Sequence, residues 1–117
     1  MAATNRTVLL FSYGTLQRRD VQHSNFGREL NGREDALPGY VCRMVPIFDP
    51  NVIASSGQTH YANAERSAYP EDAVAGTVFE ITEQELAAAD RYEETAEYHR
   101  ILVTLRSGAE AWVYVKA

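Results

Sequence analysis

Residues 7–16, TVLLFSYGTL, begin as an apolar, β-branched run and then break at a glycine, so they predict a first strand over residues 7–12 that ends in a turn. The turn contains Gly14 and Thr15 and directly precedes the charged residues QRRD. Two interpretations of Gly14 are open. It is either a structural residue that supplies an unusual φ between strand and helix, or part of a nest of backbone N–H groups that accepts a carboxylate or an oxyanion.

A helix and a long loop are predicted on the C-terminal side of this turn. Asp20 is a suitable N-cap for a helix over residues 21–30, with Gly32 near its end. Residues 49–72 are rich in Ser, Asn, Ala and Gly, and we expect a long loop there with a short strand at 51–54. Loops of this length in small domains are often functional.

Four more strands and a second helix are indicated by pattern. Residues 37–46, LPGYVCRMVP, contain a Pro-Gly turn and then alternate as a half-buried strand that ends, or lies at a sheet edge, at Pro46. Residues 73–81, AVAGTVFEI, predict a further strand, and Thr82 and Glu85 form a T-x-x-E capping box before a second helix. The C-terminal segment predicts a hairpin with strands over 99–106 and 110–116. We therefore expect an α+β fold with a mostly antiparallel sheet of five to six strands and two helices.

The composition is that of one ordinary globular domain. The 117 residues are 45% hydrophobic and 23% charged, which predicts a single domain over residues 1–117. The formal net charge is −5 and no block of Lys or Arg occurs, so we expect no nucleic-acid partner. The single Cys42 excludes an internal disulfide, and three scattered histidines do not suggest a metal site. No apolar segment reaches the length of a signal peptide or a membrane span, so we expect a cytoplasmic protein with no membrane partner.

Glu93 is the first candidate for a chemical role. At ~100° per residue it lies nearly in line with Leu86 and close to Ala89, whereas Glu94 is turned ~100° further round. A carboxylate directed at a core costs free energy unless it is paired or functional. An alternative is that Glu93 lies in the last helical turn and pairs with Arg91 or Arg100 at the surface.

Other polar residues give weaker signals. Tyr98 and Arg100 flank His99 on the opposite face of a predicted strand, so they either line a common cavity or serve as an ordinary core tyrosine and a solvated arginine. A hydrolase pair of Ser12 with a histidine is not favoured, because no G-x-S-x-G elbow is present.

Four motifs, in this order and spacing, resemble the gamma-glutamylcyclotransferase (AIG2-like) family over nearly the whole chain. They are FSYGTL at 11–16, LPGYVCRMVP at 37–46, YPEDAVAGTVFEI at 69–81 and ADRYEETAEYHR at 89–100. The resemblance implies a small, twisted, barrel-like sheet with a few helices. It also implies a cofactor-independent and metal-independent reaction in which a γ-glutamyl compound cyclises to 5-oxoproline and releases an amino acid or amine.

By this resemblance Glu93 matches the family's catalytic glutamate and general acid/base. The matching substrate-binding residues are Tyr13, Gly14, Thr15, Leu16, Tyr98 and Arg100. Glu94 stands where the family usually has Gly, which leaves the choice between Glu93 and Glu94 open. The segment around His60 does not match the family pattern, and the identity of the substrate stays open if this segment, and His60 in particular, lines the mouth of the pocket.

Three alternatives to cyclisation of a γ-glutamyl amino acid remain open from the sequence. One is a non-catalytic domain on the same fold that binds a carboxylate metabolite. Another is an enzyme that acts on γ-glutamylamines. The third is an interaction module that uses the 49–72 segment. The small-molecule partner expected under the resemblance is a γ-glutamyl substrate, and the sequence leaves the oligomeric state open.

Overall fold

The computed structural model of the chain describes residues 6–116. Its elements are, in chain order, β1 (Thr7–Ser12), a 3-10 turn (Thr15–Gln17), α1 (Arg19–Phe26), β2 (Gly32–Pro38), β3 (Tyr40–Pro46), α2 (Pro50–Ser56), β4 (His60–Arg66), β5 (Ala73–Thr82), α3 (Glu83–Glu94), β6 (Tyr98–Thr104) and β7 (Glu110–Lys116). The predicted α+β class is confirmed. The single domain predicted over residues 1–117 stays a prediction, and its ends at 1–5 and 117 lie outside the described residues.

The strands form two sheets. Five of them lie in the order β2-β5-β1-β7-β6, in which only the β1–β7 pair is parallel. Strands β3 and β4 form a separate antiparallel pair. In the described residues the sheet is therefore mostly antiparallel, as expected, but it is not a closed barrel. We refer to β3, α2 and β4 together, residues 40–66, as the arm.

Residues 8–11 of strand β1 are all apolar because both faces of the strand are covered. Successive side chains of a strand point to opposite faces. Leu10 packs with residues of α3 such as Leu86 and Ala89, whereas Phe11 packs on the other face with a cluster that includes Ala64 of β4. The apolar run of β1 thus joins two hydrophobic clusters, one under the helices and one under the arm.

The first helix lies earlier in the chain than predicted. Helix α1 begins at Arg19 and ends at Phe26, and its C-cap is Gly27 in the left-handed conformation, with φ +70°. Asp20 does not cap the helix but accepts two hydrogen bonds from the Arg18 guanidinium. The prediction of a helix over 21–30 with Gly32 near its end is wrong at both ends, because Gly27 already supplies the terminating conformation.

The predicted 49–72 loop is wrong as well. Asp49 caps α2 by accepting a hydrogen bond from the N–H of Asn51 at 2.9 Å, and Gly57 ends the helix with φ +71°. Strand β4 follows and pairs with β3 along its whole length. The expected short strand at 51–54 is therefore helix. Strand β2 was not predicted, and it carries exposed charged residues because it lies at the edge of the sheet.

The other predicted elements are confirmed. The Thr82 hydroxyl accepts a hydrogen bond from the N–H of Glu85 at 3.1 Å, and the Glu85 carboxylate accepts one from the N–H of Thr82 at 2.9 Å, so the capping box starts α3 as expected. The strands β5, β6 and β7 lie within two residues of their predicted bounds. The capping box matters for the site because α3 carries Glu93 in its last turn.

Candidate active site

A cavity of about 720 Å³ lies where the end of β1, the end of α3 and the arm meet. Its volume is in the range of small-molecule sites. One wall comes from residues 11–16 and from the end of α3, and the facing wall comes from the arm. Five of the six predicted substrate-binding residues line this cavity, together with the predicted catalytic residue, and Arg100 does not.

Glu93 lines the cavity, and Glu94 is exposed to solvent outside it. Burial raises the pKa of the Glu93 carboxyl from its ordinary value of 4.5 to about 7. Its carboxylate makes no hydrogen bond or ion pair with any residue of the described range, so the alternative of a surface pair with Arg91 or Arg100 does not apply. A half-buried carboxyl without a charged partner can exchange protons near neutral pH.

The turn at residues 13–16 presents its backbone to the cavity. Gly14 has φ −128°, outside the left-handed region, and a Cβ built on it would meet no atom within 4 Å. The glycine is thus not required by an unusual φ, and it leaves open space beside the backbone. Within residues 6–116, the N–H groups of Thr15 and Leu16 have no acceptor. These two donors are free to bind an anionic group, while the Leu16 side chain is buried in the core.

The hydroxyls of two predicted substrate-binding tyrosines are occupied by the backbone. Tyr13 accepts a hydrogen bond from the N–H of Ala64 at 3.0 Å and donates one to the carbonyl oxygen of Tyr114 at 2.7 Å. Tyr98 donates to the carbonyl oxygen of Ala62 at 2.5 Å. Both residues therefore fasten strand β4 of the arm to the main sheet, and they present their rings to the cavity.

Arg100 lies two residues beyond Tyr98 on β6, about 7 Å further along the strand. Its Nε is 3.3 Å from Oδ1 of Asp90, and its guanidinium carbon is 4.5 Å from the centroid of the Trp112 ring. The structure therefore places Arg100 behind the cavity wall.

Several lining residues were not predicted. Tyr92 of α3 shares a hydrogen bond of 2.8 Å with the Thr15 hydroxyl, and Tyr114 lines the cavity from β7. The arm contributes Met44 and Val52, which were not predicted either, and also His60, which lies in the segment that departs from the family pattern. The sequence did carry a signal for the arm helix, namely Asp49 before Pro50 and Gly57 after the last turn.

A second cleft, of about 430 Å³, is lined by residues from β1, β2, β5, β6 and β7. None of the predicted site residues lines it. Elsewhere in the described residues, no three His, Cys, Asp or Glu side chains are grouped as metal ligands would be. No helix in the described part of the chain has the length and apolar character needed to cross a membrane.

A family model described as gamma-glutamyl cyclotransferase, AIG2-like, matches residues 10–117. The chain belongs to this family. The motifs that carried the resemblance lie on β1, β3, β5 and α3 with the start of β6, and the first and last of them meet at the cavity. No curated protein matches the chain.

Solved structures share the gamma-glutamyl cyclotransferase fold of this chain at low sequence identity. A solution structure of an Arabidopsis thaliana protein has a TM-score of 0.70 at 18% identity, over 99% of this chain and 66% of that one. A structure named gamma-glutamyl cyclotransferase has a TM-score of 0.71 at 18% identity, over 96% and 68%. An AIG2-like protein from Mus musculus has a TM-score of 0.57 at 19% identity, over 95% and 78%. The chain spans about two thirds of the length of the first two structures.

Proposed function

We propose that the protein cyclises a γ-glutamyl amino acid or γ-glutamylamine to 5-oxoproline, with Glu93 as general base and then general acid. The observation that carries the proposal is the Glu93 carboxyl, which has no ionic partner in the described chain and lines the same cavity as Thr15 and Leu16, whose backbone N–H groups are free. Membership of the gamma-glutamyl cyclotransferase family supports the reaction type.

In this reaction the α-amine nitrogen of the substrate attacks its own γ-carbonyl carbon. A C–N bond forms within the five-membered ring, and the γ-amide C–N bond breaks. The proton lost by the amine goes to the Glu93 carboxylate and is then returned to the leaving nitrogen, so that an amine or amino acid departs. Proton transfer by a positioned group of this kind contributes about 10²–10⁴ in rate.

The raised pKa of Glu93 suits both proton transfers. The pKa of an ordinary glutamate, 4.5, and that of an α-amine at ~8 differ by roughly 3.5 units, or about 5 kcal/mol. With the pKa of Glu93 at about 7, the remaining gap is roughly one unit, or about 1.4 kcal/mol. The same carboxyl is about half protonated near pH 7, so it is also a competent acid for the leaving nitrogen.

The turn at residues 13–16 would hold the anionic parts of the substrate. The free N–H groups of Thr15 and Leu16 are suited to the α-carboxylate or to the oxyanion that develops on the γ-carbonyl. The open space beside Gly14 lets such a group approach the backbone. When the glutamyl chain is bound in a folded conformation, the amine already lies near the γ-carbonyl, so the entropic part of the cyclisation barrier is lower. The leaving group would then face the arm.

The test is release of 5-oxoproline from a panel of γ-glutamyl amino acids and γ-glutamylamines by the purified protein, measured from pH 5 to pH 9. We expect turnover of at least one panel member, with a kcat/KM that rises with pH through about 7, because the free enzyme must hold Glu93 ionised. No release from any member would reject the proposed reaction and would favour the non-catalytic binding domain.

A further inference from the structure

The charge of Arg100 is directed away from the cavity and toward α3. Its Nε is buried and makes no hydrogen bond with a described residue, so the 3.3 Å contact with Oδ1 of Asp90 is an ion pair without hydrogen-bond geometry. The guanidinium stacks over the ring of Trp112. Arg100 thus contacts Asp90 and the Trp112 ring, and it is not among the residues that line the cavity.

Asp90 receives a second contact at the same oxygen. The Tyr114 hydroxyl donates a hydrogen bond of 2.7 Å to Oδ1 of Asp90, and Tyr114 lies directly across from Arg100 in the β6–β7 register. Two side chains, one from β6 and one from β7, therefore contact the same carboxylate oxygen of Asp90 on α3. Asp90 precedes Glu93 by three residues on α3, and residues so spaced are neighbours on a helix surface.

We propose that Arg100 is a positioning residue: it pairs with Asp90, fixes the last turn of α3 on the β6–β7 hairpin, and offsets the charge of Asp90 next to Glu93. The inference rests on the proposed function for the role of Glu93. Arg100, which was expected to contact the substrate, would instead act on Glu93 through Asp90. Tyr114 connects this cluster to the cavity, because its hydroxyl binds Asp90 and its side chain lines the wall.

Asp90 and Arg100 are charged residues close to Glu93 that do not themselves line the cavity, so they can be substituted without changing the cavity lining. Other ionisable groups near Glu93 line the cavity. Burial raises the pKa of three tyrosines that line the cavity, Tyr13, Tyr98 and Tyr114, so these three carry no charge at neutral pH. Arg18 and Asp20 at the rim bind each other through two hydrogen bonds. His60 faces the cavity from the arm, with Nδ1 2.9 Å from the Thr59 hydroxyl.

Charge variants of the pair test the inference without any need for turnover. The chemical shift of the Glu93 side-chain carboxyl carbon is followed by NMR from pH 4 to pH 9 in the wild type, R100Q, D90N and the R100Q/D90N double variant. R100Q leaves Asp90 unpaired and is expected to raise the Glu93 midpoint by roughly half to one pH unit, whereas D90N leaves Arg100 unpaired and lowers it by a similar amount. The Glu93 titration midpoint of the double variant is expected to be close to that of the wild type, because the two charge effects offset each other.

A purely structural role gives a different pattern. Loosening of α3 exposes Glu93 to water in every variant, so both single variants would then shift the midpoint downward. A downward shift of the Glu93 titration midpoint in both single variants, or no shift in either, would overturn the inference. R100K keeps the positive charge and is the conservative control. Its Glu93 titration midpoint is expected to stay near that of the wild type, even if R100Q lowers the free energy of unfolding.

Kinetics provide the second readout. A positioning residue alters kcat, whereas a group that binds the substrate alters KM. For R100Q we expect kcat to fall by roughly tenfold while KM stays within about threefold, with the double variant no worse than the weaker single variant. A tenfold rise in KM at unchanged kcat would assign Arg100 to substrate binding and overturn the inference. Absence of turnover in the wild type would reject the proposed function alone, since the NMR titration still decides the role of Arg100.

Discussion

Replacement of Glu93 by Gln is expected to stabilise the protein in a pH-dependent way while it removes activity. The folded pKa of Glu93 is raised from 4.5 to about 7. Between these values the unfolded chain has released its proton and the folded protein has kept it, so the unfolded state binds fewer protons and stability falls as pH rises. The contribution is intact below about pH 4.5 and is lost as the pH passes through about 7.

The size of the effect follows from the shift. A difference of 2.5 units, from 4.5 to about 7, corresponds to about 3 kcal/mol of unfolding free energy at pH 8. Glutamine is neutral at every pH and does not incur this cost. The E93Q variant should therefore match the wild type near pH 4 and exceed it by about 3 kcal/mol at pH 8. In urea, with a slope of roughly 2 kcal/mol per molar, the midpoint should rise by about 1.5 M at pH 8.

The assay is equilibrium urea unfolding of the wild type, E93Q and E94Q at pH 4, 6 and 8. Glu94 is the matched control, because it is the adjacent residue and is exposed. E94Q is expected to stay within about 0.5 kcal/mol of the wild type at each pH. An E93Q variant that is no more stable than the wild type at pH 8 would show that the ionised Glu93 carboxylate does not destabilise the folded protein.

Four further expectations concern stability and binding. A Cβ at Gly76 would lie 2.4 Å from the carbonyl oxygen of Ser12, so G76A is expected to lose roughly 1–3 kcal/mol in urea unfolding, and an unchanged midpoint would contradict the close strand approach. Glu97 has φ +62°, so E97G should gain up to about 1 kcal/mol in the same assay, and a loss would show that this conformation is not strained. G14V places a branched side chain in open cavity space; we expect a wild-type thermal midpoint with at least tenfold lower kcat/KM, and retained kcat/KM would separate the turn from the substrate. H60A should change the ratio of kcat/KM between panel members while leaving 5-oxoproline as the product, and an unchanged ratio would remove His60 from leaving-group recognition.

The elements that could be predicted from the sequence are those whose local signals agree with the fold. The capping box at Thr82 fixes the start of α3, and the helical spacing of about 100° per residue then places Glu93 on the same side as Leu86 and Ala89. The continuous apolar run of β1 reflects a strand that is covered on both faces. The turn at residues 13–16 follows from the break in that run.

The remaining features depend on contacts between distant parts of the chain. Strand β2 shows no alternation of apolar and polar residues. It is an edge strand that is held in the sheet by its hydrogen bonds to β5, and the sequence of β2 does not reveal this pairing. The arm helix has cap residues at Asp49 and Gly57, but its short sequence of mostly small residues is more typical of a loop, so a helix was not predicted. The position of Arg100 depends on the β6–β7 register and on where α3 packs, and alternation along one strand specifies neither.

The burial that raises the pKa of Glu93 thus has two consequences of opposite sign. It costs stability above neutral pH, and it brings the carboxyl within about one pKa unit of the amine that it must deprotonate. Such a trade between stability and activity is common where a site keeps an unpaired buried group. Substituting the one carboxyl should therefore move stability and turnover in opposite directions.

The measurement that tests the central claim most directly is the initial rate of 5-oxoproline release from the best γ-glutamyl substrate by the wild type, E93Q and E94Q at pH 7.5. We expect E93Q to lose at least about 10²-fold in kcat and E94Q to keep the wild-type rate within about threefold, because Glu93 lines the cavity and Glu94 does not. A correctly folded E93Q with an undiminished rate, or a loss confined to E94Q, would contradict the assignment of Glu93 as the base.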